Sequence, residues 1–380
     1  MGSAGLNLME ARDASRPETI RQLTALRFLA ALMVMLSHLE FLGANANPVV
    51  RETYALFLHQ GFCGVSFFYV LSGFIITHAY RDRLVTGQVG TGTYLYHRMT
   101  RIMPLHWLTA LLFAGWLTIA QADPPRPTTL LLNLGLLHAW FPAMAIHYSL
   151  NGPSWSLSDE WFFYIAFIPL VHIPVRGLCW MASIGAVVVA SAALMTTLTV
   201  EGYSNVAEWF FYVNPAIRLL EFVTGMILHH AWQSGLGKRF STTMAETVLV
   251  LAVPAAMLGF AVVEVPMPFR YQLAYLPLMG ALVLVFAYGQ GRVTQFLRTR
   301  TLVLLGGASF ALYLTHRPII TLAYQLAGDP AQGWRDIVLA LLLVPLCAAV
   351  SIAVFLNFER PVLRWSRGFH RARRVDAPAI

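Results

Sequence analysis

Charge is what this sequence has least of. Only 12% of its 380 residues are Asp, Glu, Lys or Arg, against about 25% in a typical soluble domain. The deficit excludes an ordinary water-soluble globule. With 57% hydrophobic residues and a mean hydropathy of +0.62, the chain belongs in a bilayer. Cysteine is nearly absent too. Cys63, Cys179 and Cys347 lie in or beside apolar segments at no metal-ligand spacing, which argues against a disulfide framework and against a metal site. No Gly-x-Ser-x-Gly elbow, Walker phosphate loop or His-Glu-x-x-His stretch occurs, and Ser72 and Ser156 have no neighbouring base that would mark a nucleophile. Repeats, low-complexity tracts and an attached soluble domain are lacking as well. The net charge of +8 is carried by short loops between apolar runs, so it implies no nucleic-acid partner. The polar stretch up to Arg21 is followed by no small-residue cleavage pattern, and the first apolar run is expected to be retained.

What is present is a series of apolar segments: 23–42, 60–80, 104–121, 157–174, 178–198, 207–230, 244–263, 270–288, 302–325 and 337–356. A weaker stretch, 129–147, carries Asn133, His138, Pro142 and His147 and is short for a crossing. Basic residues decide its status. If it does not span, Arg12, Arg16 and Arg21, then Arg81, Arg83, Arg98 and Arg101, then Lys238 and Arg239, then Arg292, Arg298 and Arg300, and finally Arg360 to Arg374 all fall on one side. That is the positive-inside arrangement. The sequence therefore predicts an all-α polytopic membrane protein of about ten transmembrane helices with both termini cytoplasmic, and 129–147 as a re-entrant segment in an external loop. The expected divisions are a cytoplasmic segment 1–22, a transmembrane domain 23–358, and a basic tail 359–380 lying against anionic headgroups of the lipid bilayer.

The first apolar segment carries Arg27 and His38. Eleven residues at 100° each bring a helix back to within about 20° of its starting direction, so both side chains point the same way. Ionisable groups on one face of a membrane helix look into protein or a wet cavity, although an arginine snorkelling to one rim and a histidine at the other would also fit. Arg98 and Arg101 share a face at the cytoplasmic boundary. They suit either simple topology or a phosphate clamp that Arg27 would join.

Glu160 enters an apolar helix with Tyr164 one turn further along the same face, whereas Asp159 points about 100° away. Glu160 reads either as an N-terminal charge favouring the helix dipole or, opposite His38 at matching depth, as the group that orients its imidazole. Arg218 and Glu221, three apart, read as a self-neutralising pair or as a substrate contact. Ser309, Tyr313 and His316 form one interior stripe, in which His316 is a packing residue or a second catalyst.

Seven stretches in this order make the sequence similar to a known family: Arg27 with ten residues before His38, GVSFFYVLSGFIIT at 64–77, RMTRIMP at 98–104, WSLSDEWFFY at 155–164, RLLEFVTGM at 218–226, SFALYLTHRPI at 309–319 and FERP at 358–361. The chain resembles the membrane acyltransferase family 3, bacterial O-acyltransferases of surface and exported polysaccharides, in its stand-alone form. It departs from the pattern at Asp159, usually aliphatic, and at Trp161, often acidic. The resemblance implies an acyl-CoA donor, usually acetyl-CoA, with no metal, and a hydroxyl of an exopolysaccharide or lipid-linked oligosaccharide as acceptor, at the bacterial inner membrane. On that reading His38 is the general base, Glu160 stabilises its imidazolium, and Arg27, Arg98 and Arg101 hold CoA. Ser309 and Tyr313 line the donor channel, and Trp155, Tyr164, Arg218, Glu221 and His316 meet substrate. Two alternatives stand beside it: a flippase of a lipid-linked sugar, which the absence of an inverted repeat disfavours, and O-acylation of a small hydroxylated metabolite such as a macrolide.

Overall fold

A computed structural model describes residues 20–120, 123–200, 204–328 and 333–366. Most of the N-terminal segment 1–22 and most of the basic tail 359–380, including Arg12, Arg16, Arg371, Arg373 and Arg374, lie outside the described residues. Among the described residues all regular structure is helical, with no strand. The principal helices are α1 Arg21–Ser37, α2 Gly64–Val85, α3 Thr91–Ala120, α4 Trp155–Leu170, α5 Val175–Thr199, α6 Pro215–Gln233, α7 Thr243–Val262, α8 Leu276–Tyr288, α9 Ser309–Ala327 and α10 Trp334–Val354. A helix bonds all its backbone groups within itself, which hydrocarbon demands.

Each of the ten apolar segments carries a helix, but they differ in length. Seven of the described helices are long and apolar enough to cross a membrane: those containing α1, α2, α3, α5, α6, α7 and α10. The short helix Arg300–Gly307 and α9 make an eighth crossing if taken as one span, although they meet at a bend of 61°. With 16 residues in α4 and 13 in α8, these two fall short of the roughly 17–25 residues a full crossing uses. The 129–147 stretch is broken into Pro127–Leu134, a 3₁₀ turn at His138–Trp140 and Met144–His147, none of spanning length. Outward faces of α5, α7 and α10 are apolar, with Leu194, Leu251 and Leu341 at 53%, 62% and 69% exposure. Such surface suits lipid and would be penalised in water.

Two features fix the interior. Helices α2 and α6 approach backbone to backbone at Gly73 and Gly225. A Cβ added at Gly73 would lie 2.0 Å from the Phe222 carbonyl, and one at Gly225 would lie 2.0 Å from the Val70 carbonyl, the close approach that small residues permit in membranes. The start of α6 is set by Asn214, whose side chain accepts from the Ala216 amide at 2.9 Å ahead of Pro215, a capping pattern that satisfies otherwise orphaned donors. Helix α1 runs between α2 and α9, and its helical run stops at Ser37 so that His38 is its C-terminal cap.

Candidate active site

Between α1, α2, α3, α4 and α9 lies a cavity of about 140 Å³ lined by polar groups from all five helices. Arg27, Arg98 and Arg101 reach it from α1 and α3, Ser72 from α2, Ser156, Glu160 and Tyr164 from α4, and Ser309 and Tyr313 from α9. The three arginines expected to act together therefore share one space. Arg98 donates to the Tyr80 hydroxyl at 3.1 Å, with its guanidinium 4.9 Å from the centre of that ring and 5.8 Å from the Tyr164 ring. Its buried Nε has no hydrogen-bond partner among the described residues, an orphaned donor of the kind a bound anion would satisfy. Arg101 is already ion-paired, with Glu359 of the FERP stretch.

Glu160 sits among these cations. It accepts from Tyr164, one turn along α4, and from Ser72 at 3.3 Å, and it lies within electrostatic reach of Arg27. Asp159 points away as its 100° offset requires, accepting from Tyr69 at 2.8 Å. Deeper in the cavity the Ser156 and Tyr313 hydroxyls are 2.7 Å apart, and both reach the Pro153 carbonyl.

His38 does not line this cavity, and Glu160 is not its partner. The imidazole neighbours of His38 are the Val34 carbonyl at 2.8 Å and His316 Nε2 at 3.3 Å. His316 is fully buried, with its ring centre 6.0 Å from that of Tyr313, so Tyr313 connects the cavity to the histidine pair. A physical reason for the different pairing lies in α4: Glu160 is one and a half turns inside that helix, at the level of Ser72 on α2, whereas His38 lies at the very end of α1.

Several residues expected at the substrate stand behind the walls. Arg218 and Glu221 pair at 3.1 Å, both fully buried. The guanidinium also bonds the Tyr271 carbonyl and lies 5.0 Å and 5.6 Å from the Tyr69 and Tyr212 ring centres. This is the self-neutralising arrangement. Trp155 is buried against Tyr212, with ring centres 4.7 Å apart, and does not reach the cavity, whereas Tyr164 does. Sequence reasoning did not single out Tyr80 or Glu359, and it dismissed Ser72; FERP and LSGF were the available signals. In the loop between α3 and α4, burial and then the neighbouring His106 push the His138 imidazole down to about 3. It sits 3.4 Å from Ser154 as a neutral packing group. Among the described residues no cluster of side chains suited to a metal occurs.

Helices of spanning length, packed around an internal cavity lined by arginines, describe a multi-pass membrane protein. The chain belongs to acyltransferase family 3: that family's description, "Acyltransferase domain", matches residues 20–356. Among curated proteins it is similar to acyltransferase MdmB of Streptomyces mycarofaciens, with 30% identity covering 89% of each chain. It is also similar to the exopolysaccharide production protein ExoZ of Rhizobium meliloti strain 1021, with 31% identity over 83% of this chain and 93% of that one. Peptidoglycan O-acetyltransferase OatA of Listeria monocytogenes serovar 1/2a is 24% identical over 80% of this chain and 50% of its own length. No solved structure matches. Membership makes the protein an acyltransferase and disfavours the flippase alternative.

Proposed function

We propose that the protein transfers an acyl group, acetyl in the simplest case, from acyl-CoA to a hydroxyl of an exopolysaccharide or its lipid-linked precursor at the bacterial inner membrane. The observation that carries this reading is the convergence of Arg27, Arg98 and Arg101 on one buried cavity that leads through Tyr313 to His38 and His316. The guanidinium fork matches phosphate geometry, and a buried cluster of positive charge needs an anion. A volume of about 140 Å³ has room for on the order of ten waters, enough for the thioester end of a thin carrier arm and too little for a polysaccharide. The donor therefore enters from the arginine side and the acceptor from the His38 end. Relatives named for exopolysaccharide production and for peptidoglycan O-acetylation support a polysaccharide acceptor.

In the transfer step His38 Nε2 takes the acceptor's hydroxyl proton while that oxygen attacks the thioester carbonyl. The C–S bond breaks and the departing CoA thiolate takes the proton back from the imidazolium. A positioned base of this kind contributes typically 10²–10⁴-fold. Arg98 and Arg27 hold phosphate; Arg101, joined to Glu359, shapes the cavity wall. Glu160 offsets Arg27 and fixes Ser72 and Tyr164, and Ser309 and Tyr313 line the path to the histidines. We place both termini in the cytoplasm, with ten crossings completed by the bent Arg300–Ala327 pair, by α4 together with the turn Gly152–Ser154, and by α8 together with the Met267–Arg270 turn and the residues that join them.

Purified protein incubated with acetyl-CoA tests the assignment through CoA binding and thiol release. Wild type is expected to bind CoA and hydrolyse the thioester slowly, His38→Ala to bind without turnover, and Arg98→Ala to bind weakly. If no variant binds or consumes acetyl-CoA, the donor assignment fails.

A further inference from the structure

His38 and His316 are 278 residues apart in sequence, and the packing of α1 against α9 brings their rings to 4.9 Å between centres at 61°. Each ring is tethered to its own helix by the carbonyl four residues back: His38 Nδ1 to Val34 at 2.8 Å and His316 Nδ1 to Leu312 at 3.0 Å. A carbonyl oxygen only accepts, so both Nδ1 atoms carry the proton in the neutral rings. The Nε2 of His316 is then a lone pair, and it faces His38 Nδ1 at 3.3 Å. His38 Nδ1–H thus has two acceptors, and its own Nε2 is left as the basic nitrogen. Neither histidine lines the cavity wall; His316 is fully buried whereas His38 is half-buried, so His38 is the ring that an acceptor can meet. The charged groups nearest the pair, Glu40 and Arg317, are engaged with each other at 2.9 Å, and His59 is the other titratable neighbour of His38.

We propose that His316 is the positioning residue of the acyl-transfer base: its Nε2 accepts from His38 Nδ1–H beside the Val34 carbonyl, fixes the ring so that His38 Nε2 is presented, and shares the positive charge formed there. This rests on the acyl-transfer reading above and assigns to a neutral imidazole the part expected of Glu160. When the acceptor's hydroxyl proton moves to His38 Nε2, the Nδ1–H stays in place and becomes a charged donor to His316. A hydrogen bond with a charged donor is about twice as strong as a neutral one, so the interaction grows as the transition state forms. The Val34 carbonyl accepts from the same Nδ1–H at 2.8 Å and gains in the same way, so His316 acts as a second acceptor that adds to it. When CoA thiolate recovers the proton from His38 Nε2, the pair returns to its starting state and His316 is unchanged.

The test compares wild type, His316→Phe, His316→Gln and His38→Ala in detergent, using acetyl-CoA turnover, CoA binding, thermal unfolding and ¹⁵N-histidine NMR. Phe fills the space without an acceptor; Gln keeps a side-chain carbonyl that can accept. Loss of the outer partner that orients a metal-ligating histidine typically costs about 10–100-fold, and the same order is taken for this metal-free pair. His316→Phe is therefore expected to lower kcat by about 10–100-fold with KM for acetyl-CoA and CoA affinity unchanged, and His316→Gln to recover most of that loss. The wild-type His38 ring should show a protonated Nδ1; in His316→Phe the Val34 carbonyl keeps that proton in place, and the Nδ1 resonance should shift because one of its two acceptors is gone. Wild-type kcat in His316→Phe overturns the proposal. So does a kcat loss equal in Phe and Gln that tracks a lowered melting temperature, which marks a packing role. If His38→Ala itself retains turnover, the base assignment fails; if His38→Ala is inactive while His316→Phe is fully active, only the role of His316 fails.

Discussion

Arg98 and Arg101 stand three residues apart on α3 and line the same cavity, yet the structure gives them different work. Arg98 is bonded to a neutral phenol, Tyr80 at 3.1 Å, and keeps its full positive charge for a ligand. Arg101 is already matched by Glu359, whose side chain is 3% exposed. Replacing Arg98 with Met retains the apolar stem over the Tyr80 ring and removes the fork. One hydrogen bond to a charged group contributes about 1.5–3 kcal/mol, and 1.4 kcal/mol is a factor of about ten. Arg98→Met should therefore weaken CoA binding by about 10- to 150-fold, with kcat at saturating acetyl-CoA unchanged. Arg98→Lys keeps the charge but loses the planar fork and should fall between. Arg101→Met should behave otherwise, because it strands a buried carboxylate, which costs about 3–5 kcal/mol of stability. Calorimetric titration with CoA and thermal unfolding in detergent separate the two cases: Arg98→Met moves affinity, Arg101→Met moves the melting temperature. Unchanged CoA affinity in Arg98→Met would refute the clamp, since among the described residues lining the cavity Arg98 alone shows a buried, unpartnered guanidinium nitrogen.

Arg218→Met leaves Glu221 buried without its cation and should cost about 3–5 kcal/mol. Arg218→Met combined with Glu221→Leu should restore most of that stability and leave KM for acetyl-CoA unchanged; a double variant less stable than the single would sink the paired reading. At Gly225, alanine would place a methyl group 2.0 Å from the Val70 carbonyl, forcing α2 and α6 apart at a cost of about 1–3 kcal/mol or more. A melting temperature equal to wild type in Gly225→Ala counts against that contact. The loop between α3 and α4 should be acid-sensitive. Burial holds His138 at about 3 in the folded protein, against about 6.5 in an unfolded chain, so the unfolded state takes the proton first as pH falls. The contribution is present above pH 6.5 and is lost towards pH 3, with about 2 kcal/mol gone by pH 5. Thermal unfolding at pH 7 and pH 5 checks this, and His138→Gln should lack that part of the decline; equal declines in both proteins would assign the acid sensitivity to other groups.

What the sequence discloses of this protein follows the range of each interaction. Apolar runs of helical length are a local property, and each of the ten segments carries a helix. Glu160 and Tyr164 sit one turn apart and bond as that spacing requires. Where helices break is less local. The bend of 61° before α9 had only Gly306 and Gly307 as its sign, and the stretch ahead of α8, which begins at Leu276, is tied down by Arg270 bonding Gln60 and Gln272 bonding the Ile217 carbonyl. Motifs marked some of these residues, but no local pattern says which partner each finds across the chain. Arg101 finds Glu359 and His38 finds His316 across 258 and 278 residues. A same-face argument confined to α1 could say that Arg27 and His38 look inward, but not at what. That limit explains the one pairing sequence reasoning placed differently. A carboxylate is the usual partner sought for a catalytic imidazole, and Glu160 was the carboxylate at hand. In this site, however, Glu160 is held by the Tyr164 and Ser72 hydroxyls, within electrostatic reach of Arg27. The imidazole is then left to a partner that can accept a hydrogen bond without bringing a charge of its own into the bilayer's interior. A second histidine tethered to its own backbone meets that requirement, and the stripe Ser309, Tyr313, His316 had already placed one on the inward face.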